Sequence, residues 1–202
     1  MECNVMIGRA EPCKDSVGGI KSVYFIDYNT DTYDTCTKTN GIITAFGEML
    51  VLYKYDLKGS NVFNETSDGS RNNGTAFWKQ EGDIRLKKQT SDLKDILDLL
   101  IIGRYHVLVE DYNGNLRLAG LENGCDIFGK AQSGAKLGEF NGAKVIFQGN
   151  EKKLATYMSS SILDDKVNTY VVTDAASAVG LKEWWEYNAL NWQTIEDNWN
   201  LI

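Results

Sequence analysis

His106 is the only histidine in the 202-residue chain, so a catalytic site that relies on an imidazole base would have to be built around it. It lies in the alternating run YHVLVEDY, residues 105–112, which places it with Leu108 on one face of a predicted strand and Val107 on the other. A histidine at such a position is more often structural than catalytic. The sequence therefore predicts no catalytic residue and no enzyme.

Adjacent acidic pairs are the other groups that could act in catalysis, as two carboxylates do in glycoside hydrolysis. The pairs are Glu110-Asp111, Asp164-Asp165 and Glu196-Asp197. Neighbouring residues of a strand point to opposite faces, so such a pair does not converge on one substrate. We expect these carboxylates to lie on the solvated surface.

Residues 27–31, DYNTD, have the alternating oxygen ligands of a calcium loop. An EF-hand loop that starts here would need glycine in place of Thr32 and a bidentate glutamate in place of Lys38. The sequence therefore does not predict an EF-hand, and a non-standard calcium site here or at residues 68–72 stays open.

The cysteines and glycines do not form a recognisable binding motif. The cysteines are Cys3, Cys13, Cys36 and Cys125. None forms a C-x-x-C pair and nothing marks the chain as secreted, so we expect free thiols rather than two disulfides.

The glycines of residues 120–142 match neither of the common phosphate-binding patterns. The sequence predicts no metal and no cofactor.

The chain has 28 acidic and 21 basic residues and a net charge of −7. A protein that grips nucleic acid needs basic side chains to displace counterions from phosphates, so this balance argues against nucleic-acid binding. Residues 1–10 do not show the basic-then-apolar pattern of a signal peptide, and the sequence contains no long apolar run. We expect no association with a membrane.

Alternation of apolar and polar residues predicts a mainly β fold over the first two thirds of the chain. Strands are predicted at residues 23–26 and 49–55, with a polar loop over residues 27–40 between them. The run NETSDGSRNNG, residues 64–74, is predicted to be the solvated tip of a long hairpin. The return arm of this hairpin is predicted over residues 75–89.

The period then changes, because SDLKDILDLLII, residues 91–102, has leucine and isoleucine at spacings of three and four residues. This spacing predicts an amphipathic helix that packs on the sheet. Ser91 or Asp92 is expected to cap its N-terminus, and Gly103 is expected to end it in the left-handed conformation.

A second hairpin is predicted after the helix, in which residues 105–112 and 116–118 pair across a type I′ turn at the Asn-Gly dipeptide of positions 113–114. The glycine-rich residues 120–138 are predicted to form turns. Residues 143–148, AKVIFQ, are predicted to form another strand.

The last forty residues are acidic and rich in tryptophan. Trp185, Trp192 and Trp199 recur with other apolar residues at spacings that place them on one helical stripe. This stripe would either pack on the chain's own domain or dock onto another chain, and both alternatives stay open.

Residues 47–123 resemble the tail-tube fold of tailed bacteriophages in the order of their elements: a strand, a hairpin with the tip NETSDGSRNNG, the helix SDLKDILDLLIIG and the hairpin RYHVLVEDYNGNLRL. The strand FNGAKVIFQGNEKKLA, residues 140–155, is similar to the final core strand of such proteins in phages of Bacteroides-type hosts, including crAss-like phages. The acidic, tryptophan-rich end beyond Leu163 departs from the family. Either a repeated tube protein or a specialised ring of the neck or tail barrel is therefore possible.

The resemblance implies a virion protein of the phage tail or neck, synthesised in the host cytoplasm. Its subunits would join edge to edge into a homo-oligomeric ring and contact other tail or neck proteins. The ring would line the channel through which the genome leaves. An acidic lumen would let DNA slide through without specific binding.

Together these patterns predict a mainly β (α+β) fold. Residues 1–160 would form a β-sandwich or barrel-like domain with a long hairpin and one packed helix, and residues 161–202 an acidic, helical extension. The predicted assembly contacts are Tyr53, Tyr55, Phe63, Phe77, Trp78, Trp185, Trp192 and Trp199. The alternative is a carbohydrate-binding β-sandwich module in which Trp78, Tyr53 and Tyr55 form a sugar-stacking face.

Overall fold

The computed structural model describes residues 8–11, 13–165 and 169–173, which are mainly β strand. In these ranges the strands are β1 (Ile20–Asp27), β2 (Thr37–Thr39), β3 (Ile42–Ala45), β4 (Leu50–Asp56), β5 (Val62–Ser70), β6 (Thr75–Lys87), β7 (Arg104–Asp111), β8 (Leu116–Ala119), β9 (Cys125–Gln132), β10 (Gly142–Glu151), β11 (Thr156–Met158) and β12 (Thr169–Val172). The helices are α1 (Thr30–Thr35), α2 (Ser91–Ile102) and α3 (Ser161–Asp164). The predicted mainly β class is confirmed, as are the long hairpin and the packed helix.

The sheet is organised around β7, which pairs with three other strands. Strand β1 lies along one edge, with Phe25 opposite Val107. On the other edge, β9 pairs with the first two residues of β7 and β8 pairs with residues 107–110. The branches continue in the orders β9-β10-β6-β5 and β8-β11-β3-β2, while β1 leads to β4 and β12. The sheet is not closed into a barrel, so the arrangement is sandwich-like.

Both faces of β7 are buried, and each face contributes to a different core. Val107 and Val109 belong to the first core, whereas Leu108 belongs to the second. The alternation predicted for this strand is therefore confirmed. Helix α2 covers the first core with Leu97 and Leu100, which the helical period places on one stripe.

Helix α2 has the predicted bounds, but its ends differ from the prediction. The N-cap is Thr90, whose hydroxyl oxygen accepts a hydrogen bond from the Leu93 amide. Gly103 follows the last turn with a φ of −82°, so it is not left-handed. Glycine fits here for a steric reason, because a Cβ at this position would overlap the Tyr105 side chain.

The type I′ turn predicted at residues 113–114 is wrong. Only Gly114 has a positive φ there, of 80°, and the Asp111 carboxylate organises the loop by accepting backbone hydrogen bonds. The two positive φ values that a type I′ turn needs occur instead at Asn40 (52°) and Gly41 (81°), which join β2 to β3.

Three regions predicted as loops contain regular structure. Residues 27–40 include α1 and β2, and the glycine-rich residues 120–138 include β9. Residues 64–70 of the predicted hairpin tip belong to β5, which leaves residues 71–74 as the turn. Each of these strands pairs with a neighbour, and the pairing offsets the low strand propensity of its residues.

Helix α3 and strand β12, which fall within the predicted C-terminal extension, pack on the sheet. Strand β12 runs parallel to β4, with Val172 opposite Tyr53, and Ile162 of α3 is buried in the second core. Residues 174–202 lie outside the described residues, together with the helical stripe predicted for them.

Two phenylalanine rings that meet over a glycine fix the β5–β6 hairpin to the rest of the sheet. Gly82 of β6 lies opposite Phe63 of β5 and Phe147 of β10. The two rings stack with their centroids 5.9 Å apart. A Cβ on Gly82 would overlap the Phe147 ring, so glycine makes room for this contact.

Gly82→Ala should therefore destabilise the fold by about 1–3 kcal/mol, the usual cost of overpacking a buried site. The free energy of unfolding from a urea titration measures this loss. Gly138→Ala is the matched control, since an added Cβ there meets nothing within 4 Å, and its effect should stay below about 0.5 kcal/mol. Equal stability of the two variants would contradict the proposed packing.

Candidate assembly surface

Strands β2, β5 and β12 each pair on one side only within the described residues. Strands β2 and β12 are short, with three and four residues. Strand β5 has nine residues and contains neither proline nor lysine, which commonly protect an edge from further pairing. Strand β5 is therefore the longest open edge in the part of the chain that the structure describes.

The side chains of β5 hold the strand in place from one face. Phe63 packs against the first core, and the Arg117 guanidinium lies over its ring. Glu65 forms an ion pair with Arg117 and accepts a hydrogen bond from the Ala155 amide. Val62, on the opposite face, is exposed. These contacts fix the position of β5 while its outer backbone edge has no strand partner among the described residues.

An apolar groove of about 460 Å³ runs between the C-terminal half of α2 and strands β1, β4 and β7. Tyr53, Tyr55 and Tyr105 line one side of this aromatic groove, and Leu99 and Ile102 line the other. Leu99 is 68% exposed and Ile102 is 86% exposed. Clustered apolar side chains at such exposure are typical of surfaces that bind a ligand or contact another segment or molecule.

The tyrosines of the aromatic groove keep their protons over a wide pH range. Burial raises the pKa of Tyr55 to about 12, with smaller contributions from Tyr105 and Tyr53. Burial also raises the pKa values of Tyr53 and Tyr105, and the nearby Asp27 carboxylate adds to both. The phenols are therefore neutral hydrogen-bond donors at physiological pH.

A second cavity, of about 440 Å³, adjoins the aromatic groove, and Tyr55 and Ile96 line both. The lining of this basic cavity includes four basic and two acidic side chains. They are Lys58, Arg85, Lys87 and Lys88, and Asp56 and Asp92. Over the described ranges, none of the four basic side chains forms an ion pair. The combined surface is thus aromatic on one side and positively charged on the other.

The structure describes five of the predicted assembly contacts, and they fall in two regions of the sheet. Tyr53, Tyr55 and Phe63 all pack against the first core, and Tyr53 and Tyr55 also line the aromatic groove. Phe77 and Trp78 are half-buried near the turn of the β5–β6 hairpin. The three C-terminal tryptophans lie outside the described residues.

Sequence reasoning did not identify helix α2 or the basic cavity as parts of this surface. The sequence of α2 did contain a signal for an exposed apolar face, because Leu99 and Ile102 are apolar in addition to the buried Leu97 and Leu100. A helix with more apolar residues than one stripe can bury has a second apolar face. The basic cavity had no comparable local signal.

Trp78 lies far along β6 from Tyr53 and Tyr55. It is nine residues from Lys87, about 30 Å along an extended strand, and Lys87 lines the basic cavity together with Tyr55. The three aromatic residues of the sugar-stacking hypothesis therefore do not form one face.

His106 is fully buried where β8 and β9 diverge from β7. Its Nδ1 atom lies 2.6 Å from the Gly120 carbonyl oxygen, and its Nε2 atom lies 3.2 Å from the Asn29 carbonyl oxygen and 3.3 Å from the Asn29 amide nitrogen. A neutral ring with its proton on Nδ1 donates to Gly120 and accepts from Asn29. Burial lowers the pKa of His106 below 6.5, although the carbonyl oxygens of Gly120 and Asn29, which would accept hydrogen bonds from a protonated ring, act in the opposite direction.

Glu110 and Asp111, predicted to lie on the solvated surface, both stabilise local structure. Glu110 accepts hydrogen bonds from Lys21, Ser22 and Tyr24. Burial disfavours the ionised form of Glu110, but these hydrogen bonds outweigh it and lower the pKa of Glu110 below 4.5. Asp111 organises the turn between β7 and β8.

No family model, curated protein or solved structure matches the chain. Among the described residues, no group of three or more histidine, cysteine, aspartate or glutamate side chains is arranged to hold a metal ion. No helix in those ranges combines the length and the apolar character needed to cross a membrane.

His106→Asn should change the pH dependence of stability. An asparagine amide can replace the Nδ1 donor to Gly120, but it does not titrate. Because the pKa of His106 is lowered in the folded state, the unfolded chain binds the proton more readily once the pH falls below 6.5. We expect the wild type to lose stability more steeply than the variant as the pH falls from 6.5 toward the folded-state pKa.

Urea unfolding of both proteins between about pH 5 and about pH 8 measures this difference. Burial raises the pKa of Glu151, although amide hydrogen bonds from Glu122 and Asn123 oppose it, so Glu151 gives a pH dependence of opposite sign. Glu151 is present in both proteins, and its effect cancels in the comparison. Parallel stability curves would contradict the assignment of a neutral, buried His106.

Proposed function

We propose that this protein is a structural subunit of a bacteriophage tail or neck. In this proposal it assembles through its sheet edges into a homo-oligomeric ring around the channel for genome ejection. The main support is the open sheet: the strand order begins at β2 and ends at β5, and each has one unpaired side in the described part of the chain. The order of strand, long hairpin, helix and second hairpin also agrees with the resemblance to tail-tube proteins.

Two different open edges are what a ring of this kind requires. A head-to-tail contact joins one surface of a subunit to a different surface of the next, and it repeats until the ring closes. Pairing of β5 with β2 or β12 of a neighbour would satisfy backbone groups that a monomer leaves to water. Residues 71–77 extend beyond the last pair of β6 with β10, at Trp78, so this end of the hairpin would reach the neighbouring subunit or the next ring.

The charge of the chain agrees with a channel subunit. With a net charge of −7, the protein repels phosphates, and little counterion release is available to drive DNA binding. DNA would then pass through the ring without specific binding. The proposed location is the virion, after synthesis in the host cytoplasm.

Purified protein should form multimers well above 22.6 kDa, measured by light scattering and visible as rings or stacks in negative-stain electron microscopy. A double variant of β5, Val62→Lys with Thr66→Lys, should shift the protein to monomer, because edge lysines oppose pairing with a further strand. The matched control is Ser133→Lys with Ala135→Lys, which adds the same charge to an exposed loop.

The control should assemble like the wild type, and circular dichroism should show that all three proteins keep their strand content. A wild type that stays monomeric at every accessible concentration would overturn the proposal. So would a β5 variant that assembles as well as the control.

A further inference from the structure

Strand β12 leads the chain to the aromatic groove. Val172 lies opposite Tyr53 in the parallel pair of β12 and β4, and directly paired residues project to the same face of a sheet. Tyr53 and Tyr55, two residues further along the same face, line the aromatic groove. The described part of the chain therefore ends, at Thr173, next to this groove.

The composition of residues 174–202 complements the surface next to which the described chain ends. They contain four of the five tryptophans of the chain, and Trp185, Trp192 and Trp199 recur every seven residues. They also contain five acidic residues and one lysine, which gives a net charge of −4. The aromatic groove has exposed apolar side chains, and the basic cavity has four basic side chains without an ion-pair partner in the described ranges.

We propose that residues 174–202 dock on their own subunit, with tryptophans in the aromatic groove and carboxylates over the basic cavity. Docking would cover Leu99 and Ile102 and would supply acidic partners to the lysines of the basic cavity. The inference goes beyond the ring proposal and does not depend on it, because a monomer can contain the same contact.

The position of the segment favours docking within one chain over docking between chains. A segment tethered a few residues from its site has an effective concentration in about the millimolar range, which exceeds the protein concentration in most solutions. The apolar contacts should dominate, since ion pairs that stay partly exposed contribute little compared with buried tryptophan side chains. Substitutions in the aromatic groove should therefore weaken docking more than removal of a single lysine.

Cross-linking with a zero-length carbodiimide tests where residues 174–202 dock, because it joins a carboxylate to an amine only where the two are in contact. Isotope labelling adds a test of which copy of the chain supplies the docked segment. The protein is used as an equal mixture of unlabelled and heavy-nitrogen-labelled full-length chains. We expect cross-links from the lysines of the basic cavity to the acidic residues of the segment. The lysines are Lys58, Lys87 and Lys88, and the acidic residues are Asp174, Glu183, Glu186, Glu196 and Asp197.

Mass spectrometry should find these cross-links only within light chains or within heavy chains. Mixed light and heavy pairs would show that a second copy supplies the segment, and this result would overturn docking on the same subunit. Absence of any such cross-link would overturn the proposal as a whole.

Tryptophan fluorescence tests the apolar part of the contact. In a Trp78→Phe background, all tryptophan emission comes from residues 174–202. Docking should protect these side chains from quenching by acrylamide. Leu99→Asp in this background should lower the ratio of docked to free segment by about tenfold or more, because it places an unpaired carboxylate against buried tryptophan.

Leu137→Asp is the matched control, since Leu137 is a fully exposed leucine of the loop between β9 and β10 and does not line the groove. The control should keep the protection seen in the Trp78→Phe background, and circular dichroism should show that Leu99→Asp leaves the fold intact. Equal quenching of the two aspartate variants, or tryptophans as accessible as in a free peptide of residues 174–202, would overturn the proposal.

Discussion

The fold depends on how one edge of β7 is shared between two strands. Strand β9 pairs with the first two residues of β7 and β8 begins to pair at Val107, so His106 lies at the branch. Its ring contacts the Gly120 carbonyl, and the Gly120 amide donates to the buried Gln80 side chain of β6. A Cβ on Gly120 would lie 2.7 Å from the Cys125 sulfur, so glycine is needed there. Each buried polar group at the branch that lost its hydrogen-bond partner would lower the free energy of unfolding by about 1–3 kcal/mol.

Elements whose own residues determine their conformation could be predicted from the sequence. Helix α2 has an unbroken helical period, and β7 contains the consecutive apolar residues Val107, Leu108 and Val109, two of which are β-branched. Residues 64–70, NETSDGS, and residues 125–132, CDIFGKAQ, have little strand propensity and form strands because they pair with β6 and β10. Such pairing joins residues far apart in the chain, so a local pattern does not reveal it. The type I′ turn was missed for a different reason, since several Asn-Gly dipeptides were present and the φ values depend on the strands beside each one.

The candidate surface was predictable to the extent that it lies on one element. Tyr53 and Tyr55 were identified because they are aromatic residues of one strand, and the structure places both in the aromatic groove. The basic cavity combines Lys58 from the segment after β4 with Arg85 and Lys87 from β6. Only the three-dimensional arrangement of the sheet brings these segments together. No spacing in the sequence indicates a cluster of that kind.

The two proposed contacts are the pairing of sheet edges between subunits and the docking of residues 174–202 on the aromatic groove. They depend on different physical interactions, so one molecule can form both without competition between them. Edge pairing would satisfy backbone groups, and side chains would affect it mainly where charged residues such as lysine oppose pairing with a further strand. Docking of residues 174–202 would depend on apolar and charged side chains, and its electrostatic part would be screened beyond about 8 Å at physiological ionic strength. An uncovered aromatic groove would offer Leu99 and Ile102 to any apolar surface, which favours contacts that do not close into a ring. A subunit that covers this groove with its own C-terminal segment would leave only its sheet edges for assembly. The segment would then restrict assembly to the one geometry in which every edge finds a partner.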